Sequence, residues 1–163
     1  MDTWALAGAV HRTLLARAQT VACAESLTGG ELAALLSCTS GASATFVGGV
    51  VSYVTSVKQS VLGVPAETIA QHGVVSAACA MAMATGVRRL LGSEWAVATS
   101  GVAGPDSQED KPVGLVYVGI AGPATVYSIE MNLDGSRSEI RSATCAAALR
   151  ALSEALSRSA DRR

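Results

Sequence analysis

Three short runs of small and branched residues, TVACAES at 20–26, FVGGVVSYV at 46–54 and WAVATSG at 95–101, are separated by stretches with helical spacing of their apolar residues. Such an alternation leaves a chain one economical solution, in which the runs pair as strands and the intervening helices cover the faces of their sheet. The first run ends in the turn Leu27-Thr28-Gly29-Gly30 and the third in Val102-Ala103-Gly104-Pro105. Active sites of sheets built this way gather where strand ends meet Gly-rich turns. These two turns and the segment Tyr53 to Lys58 are therefore expected to converge.

The remaining elements follow from local signals. Residues 2–18 form an opening amphipathic helix with Trp4, Ala7, Val10, Leu14 and Leu15 on one side and Arg12 and Arg17 able to lie outside. ELAALLSC continues the first turn as a helix, and SVKQSVLG and PAETIAQHG are short helical pieces. Pro65 suits a first helical turn and Gly73 a helix stop. Ser76 caps a long helix through Leu91. After the polar loop 106–111, residues 112–122 and 124–133 make a strand pair joined near Gly122-Pro123. A last helix begins at Ser136 or Arg137, runs to about Ser157 and presents Ile140, Leu149, Leu152 and Leu156, after which RSADRR frays. The sum is a single domain over 1–163, a three-layer α/β/α sandwich with a mixed sheet.

Composition narrows the partners. A net charge of −1 with 15% charged residues gives no electrostatic grip on nucleic acid or an anionic membrane surface. Mean hydropathy is positive, yet no apolar run reaches the roughly 18–20 residues that cross a bilayer, and the N-terminus lacks the basic start of a leader. The four cysteines match neither zinc spacing nor a C-x-x-C motif, which suits reduced thiols in a cytoplasmic protein. Cys23 and Cys79, flanked by apolar residues, read as small buried side chains. Of the twelve basic residues only Lys58 and Lys111 are lysine. Lysine, unlike arginine, titrates readily near neutrality when buried, so a chain that otherwise prefers arginine draws attention to both.

Ser26 stands where a strand becomes a helix, and Gly29 and Gly30 let the backbone bend closely around an anion or a carbonyl oxygen. That placement suits a nucleophile; Ser26 or Thr28 as a plain helix cap suits it equally. A serine hydroxyl needs a base and oxyanion donors for acyl chemistry. His11 and His72 read as surface or capping residues, which argues against a Ser-His-Asp triad. Lys58 serves as base if burial lowers its pKa, with the Tyr53 phenol relaying or orienting the proton; a solvated surface lysine is the other reading. Ser100, Gly101, Ala103 and Gly104 form a loop whose amides can cradle an anion, over which Lys111 to Gly114 can fold back. Arg137 and Arg141, one turn apart at the start of the last helix, suit a phosphate. No P-loop, dinucleotide fingerprint or metal-ligand constellation is present.

The ordered strings AESLTGGELAALL, GASATFVGGVVSYVTSVKQSVLGV, QHGVVS, TSGVAGP and KPVGLV resemble the CinA C-terminal domain family, the PncC-type nicotinamide-nucleotide amidases, over about residues 5–155. The resemblance implies hydrolysis of the carboxamide of nicotinamide mononucleotide to nicotinic acid mononucleotide and ammonia, with no metal and no cofactor, by proteins that self-associate. It implies Ser26 as nucleophile, with Tyr53 and Lys58 beside it. Thr28, Gly29 and Gly30 match the family's turn, Ser100 to Pro105 its second loop, and Arg141 its arginine on the last helix. Val54-Thr55 and Ser107-Gln108 depart from the family's usual Ser-Asn and Gly-Gly. A nucleotide-binding module without catalysis, and a scaffold or regulatory subunit, are the competing functions.

Overall fold

A computed structural model describes residues 2–160. Helix α1 (Thr3–Ala16) is capped by Asp2, whose carboxylate accepts from the amides of Trp4 at 2.7 Å and Ala5 at 3.1 Å. Strand β1 (Val21–Glu25) leads into α2 (Glu31–Ser37), and a 3-10 turn at Ala42–Ala44 into β2 (Phe46–Val51). Next come α3 (Thr55–Ser60), α4 (Ala66–His72) and α5 (Ala77–Leu91), the last capped by the Ser76 hydroxyl on the Cys79 amide. Strands β3 (Trp95–Gly101), β4 (Leu115–Gly122) and β5 (Thr125–Asn132) precede α6 (Arg137–Ala160). The last helix thus does not end near Ser157: Arg158, Ser159 and Ala160, expected to fray, continue it, and the rest of that stretch, 161–163, lies outside the described residues.

The strand order is β2-β1-β3-β4-β5, with β1 parallel to both neighbours and β4 antiparallel to β3 and β5. This is the mixed sheet of an α/β/α sandwich. One face buries Leu14, Leu32, Val97, Val118, Leu149 and Leu152 beneath α1, α2 and α6. The other buries Leu62, Val64, Met83, Ala84 and Val87 beneath α5 and the segments around α3 and α4. Each fully buried Leu or Met of these helices contributes about 1.5–3 kcal/mol, and the strands they cover, β1 and β3, are buried along nearly all of their length. No helix among the described residues is long and apolar enough to cross a membrane.

Two expectations for α1 are corrected. Ala7, Val10 and Leu14 are buried, but Trp4 and Leu15 are 63% and 51% exposed, at the edge of the stripe that α6 and α2 cover. His11 is no surface residue; it is buried, with Nδ1 2.8 Å from Thr45 Oγ1, and ties α1 to the segment before β2. Cys23, Cys79 and Cys145 are buried, and all four cysteines are free.

Register sets up the functional edge. Glu25 of β1 stands opposite Val51 of β2 and Thr99 of β3. Ser26 and Ser52 therefore leave β1 and β2 beside Ser100, which is still in β3 and paired with Tyr117 of β4.

Candidate active site

The turn after β1 is built around Glu25. Its buried carboxylate accepts from the Thr28 hydroxyl at 2.6 Å and from the amides of Gly30, Leu32 and Ala33 at 3.1, 3.0 and 2.9 Å. One side chain thus satisfies the open amides at the start of α2 and holds the loop that carries Ser26. Gly29 and Gly30 have φ of 57° and 104°, a region costly for residues with a Cβ. Glu25→Ala strands these donors in the interior and is expected to cost about 3 kcal/mol or more. Urea unfolding checks this, and a loss below about 1 kcal/mol would contradict the assigned role.

The Glu25 carbonyl accepts from both the amide and the hydroxyl of Ser52, at 2.8 and 3.2 Å. Ser52 in turn fixes Lys58, which is 1% exposed and points its Nζ from α3 into the sheet edge. That Nζ lies 3.0 Å from Ser26 Oγ, 2.6 Å from the Ser52 carbonyl and 3.4 Å from the Tyr53 carbonyl. Burial lowers the Lys58 pKa, against smaller opposing contributions from Cys79 and Glu109, while burial pushes the Cys79 thiol up to about 11. A neutral amine has two hydrogens and one lone pair. Two of its three neighbours are carbonyls, which only accept, so the lone pair is left for the Ser26 hydroxyl.

Ser26 opens into a cleft of about 120 Å³ whose lining includes Tyr53, Val75, Ser100, Ala103 and Arg137. Gly101, Gly104, Asp106 and Gln108 line it as well. The Ser100 hydroxyl donates to the Val74 carbonyl at 2.6 Å, tying the end of β3 to the segment before α5. Arg137 spans the rim, donating from Nη1 to the Gly104 carbonyl at 2.7 Å and from Nη2 to the Tyr53 hydroxyl at 2.8 Å.

Several expected roles change here. Tyr53 faces Lys58 with its backbone carbonyl, and its phenol, on a residue 55% exposed, is held by Arg137 instead of bridging to the amine. Thr28, Gly29, Gly30 and Arg141 do not line the cleft. The Thr28 hydroxyl is 2.8 Å from Thr99 Oγ1 as well as bound to Glu25, and the Gly29 amide donates to the Ser26 carbonyl at 3.1 Å, so these donors are spent inside the turn. Arg141 backs the turn from outside, with Nη2 3.0 Å from the Thr28 carbonyl and 3.8 Å from Glu31. Glu25 and Ser52 were not singled out from the sequence. An acidic residue closing an apolar strand just before a Gly-rich turn was the available signal for Glu25; Ser52 offered none.

The loop 106–111 is stapled to the cleft wall. Glu109 accepts from the amides of Val74 and Val75 at 2.9 and 3.2 Å and lies 3.5 Å from Lys111, whose Nζ also donates to the carbonyls of His72 and Val75. Lys111 itself thus reaches the segment before α5, while the residues after it fold back over the loop at Ser100–Pro105, the Gly114 amide donating to the Val102 carbonyl at 2.8 Å and Val113 packing on Gly104. Burial raises the Glu109 pKa, but the two amides and Lys111 together outweigh it and leave the carboxyl below its ordinary value. A depressed carboxyl contributes stability above its unfolded pKa of about 4.3 and loses it as pH falls through the folded value. Glu109→Gln is expected to cost on the order of 1 kcal/mol at pH 7 and nothing once the wild-type carboxyl is protonated. Thermal unfolding of both proteins between pH 7 and pH 3 checks this; a gap that does not close in acid would contradict it.

Among the described residues no group of three or more His, Cys, Asp or Glu is placed to hold a metal ion. A sequence profile for the CinA C-terminal domain matches residues 4–156. A relative from Desulforamulus reducens is 52% identical over 141 residues, 86% of this chain and 34% of its own length. A CinA-like protein of Frankia casuarinae is 49% identical over 144 residues, 88% of this chain and 33% of its own. The chain thus spans about a third of the curated relatives it matches. A crystal structure of a competence-damaged protein (CinA) superfamily member from Klebsiella pneumoniae superposes with TM-score 0.94 at 36% identity, covering 97% of this chain and 99% of that one. One of a competence/damage inducible protein from Agrobacterium tumefaciens gives 0.91 at 37% identity, covering 96% of each.

Proposed function

The chain belongs to the CinA C-terminal domain family, and from that premise we propose that it hydrolyses the carboxamide of nicotinamide mononucleotide to the acid and ammonia. The observation that carries the proposal is the buried Lys58 amine 3.0 Å from Ser26 Oγ at the floor of a cleft. Ser26 Oγ attacks the amide carbon while Lys58 takes its proton; the ammonium then protonates the departing nitrogen, so ammonia leaves and an ester to Ser26 remains. Water, deprotonated by Lys58, attacks the ester carbonyl, and the proton returns to Ser26. The net reaction is amide plus water to acid plus ammonia.

The amides of Leu27 and Ala103 belong to cleft-lining residues and have no acceptor among the described residues, which suits them to hold the developing oxyanion. At about 120 Å³ the cleft is smaller than the ~300 Å³ at which sites for whole small ligands begin. It encloses the reacting ring amide and leaves the ribose phosphate at the rim, where Arg137 supplies the charge. The test is ammonia release from nicotinamide mononucleotide with identification of the acid product. Saturable binding without turnover would replace the amidase by a nucleotide-binding module.

A further inference from the structure

Protonation of Lys58 reverses the hydrogen-bonding character of the cleft floor. With the amine neutral, its lone pair holds the Ser26 hydrogen and its two N–H groups go to the carbonyls of Ser52 at 2.6 Å and Tyr53 at 3.4 Å. Ser26 Oγ then shows the cleft only lone pairs. With the ammonium formed, the nitrogen has three hydrogens and no lone pair, so the third donates to Ser26 Oγ at 3.0 Å and the serine's own hydrogen turns outward. The amides of Leu27, next in the chain, and Ala103 line the same cleft and have no acceptor among the described residues. Around Ser26 the protonated floor therefore presents donors.

The charge on that ammonium is uncompensated as well. Lys58 is 1% exposed, and no ion pair among the described residues includes it. The titratable groups packed around it are the Cys79 thiol of α5, which burial keeps protonated, and Glu109 of the loop 106–111, whose carboxylate is spent on the amides of Val74 and Val75 and on Lys111. On the cleft side stand Tyr53, Asp106, which is exposed, and Arg137, which is tied to Gly104 and Tyr53. A buried cation without a partner is costly, and an anion that enters the cleft relieves the cost. Burial already holds the Lys58 pKa down, so a bound anion has room to raise it.

A carboxamide and a carboxylate of the same shape are sorted by this pattern. The amide carries an NH2 donor and suits the neutral floor, where Ser26 Oγ accepts; the carboxylate accepts at both oxygens and suits the protonated one. We infer that protonation of the Ser26–Lys58 pair turns the cleft into a carboxylate site, so that the acid formed there is retained below the pH at which the pair is active. One oxygen accepts from Ser26 Oγ and the other from the amides of Leu27 and Ala103, with the ammonium behind the serine. The identity of the acid rests on the function proposed above; the preference for a carboxylate rests on the donor pattern.

Lys58 and Lys111 are the only lysines, so protein isotopically labelled at lysine Cε gives two side-chain signals by NMR, and Lys58→Met removes one and assigns both. Acetate is the carboxylate probe, acetamide its neutral match, and sodium chloride at equal ionic strength the control. Acetate is expected to move the Lys58 titration upward by about one pH unit, equivalent to tenfold tighter binding to the ammonium form, while acetamide and chloride do not raise it. Ser26→Ala keeps the charge but lacks the donating hydroxyl, and should cut that tenfold preference to about threefold or less. In the wild type, nicotinic acid mononucleotide should inhibit ammonia release competitively, its inhibition constant falling about tenfold per pH unit until Lys58 is fully protonated.

A Lys58 titration unmoved by acetate, or moved equally by acetamide or chloride, would overturn the inference whether or not the nucleotide is hydrolysed. Full retention of the acetate effect in Ser26→Ala would overturn the donor pattern on which it stands. A titration that acetate moves as expected, in a protein that releases no ammonia, would remove the nucleotide substrate and uphold the carboxylate site.

Discussion

Ser26→Ala is expected to leave the fold intact and to reduce ammonia release by about 10⁴-fold or more, the range seen when a covalent nucleophile is removed. The fold should survive because no hydrogen bond of the sheet passes through the Ser26 hydroxyl; its backbone amide holds the Thr99 carbonyl at 3.1 Å, and alanine keeps that bond. The Glu25 network that shapes the turn is equally untouched. What disappears is the only oxygen among the described residues within hydrogen-bonding distance of Lys58 that can attack, since the other two are backbone carbonyls. Circular dichroism and a coupled ammonia assay on the same preparation separate the two effects. Turnover at the wild-type rate in this variant would remove Ser26 from the mechanism.

Lys58→Met should produce a loss of similar size, and the double variant should be no worse than either single one, because nucleophile and base act as a unit. The pH profile carries the sharper test. Lys58 works as a base only when neutral, so the rate rises with pH as the amine loses its proton and levels off above its pKa. Burial lowers that pKa, so the plateau begins below the ordinary lysine value of about 10.4. The same shift has a stability counterpart of defined sign. The unfolded chain holds this proton more tightly than the folded one, so Lys58 lowers stability below its folded pKa, and that cost fades as pH climbs toward the unfolded value. A rate still rising with unit slope past pH 10.4 would contradict a buried base.

The elements were legible because their signals are local. Ser76 caps α5 with its own hydroxyl, Gly73 closes α4 and Pro123 sits in the two-residue turn between β4 and β5. The rare lysine at position 58 stood out by composition alone. The site was less legible where a group's role depends on a partner distant in sequence. Arg141, for instance, meets the Thr28 carbonyl across 113 positions. Tyr53 was placed beside Lys58 by its spacing, yet its phenol is drawn to Arg137, 84 positions away. Trp4 and Leu15 failed for a related reason, since helical spacing does not reveal how wide a stripe the neighbouring helices cover.

The strand order also governs the tempo of assembly. The β4–β5 ladder closes across two residues and is cheap to form, whereas β1 must find β3 with Val21 and Trp95 some 74 positions apart. Non-local parallel pairing of this kind belongs to the slow part of a folding reaction. Ser26, Ser52 and Ser100 come together only when both parallel ladders are in register, so a refolding chain acquires its hairpin early and its chemistry last.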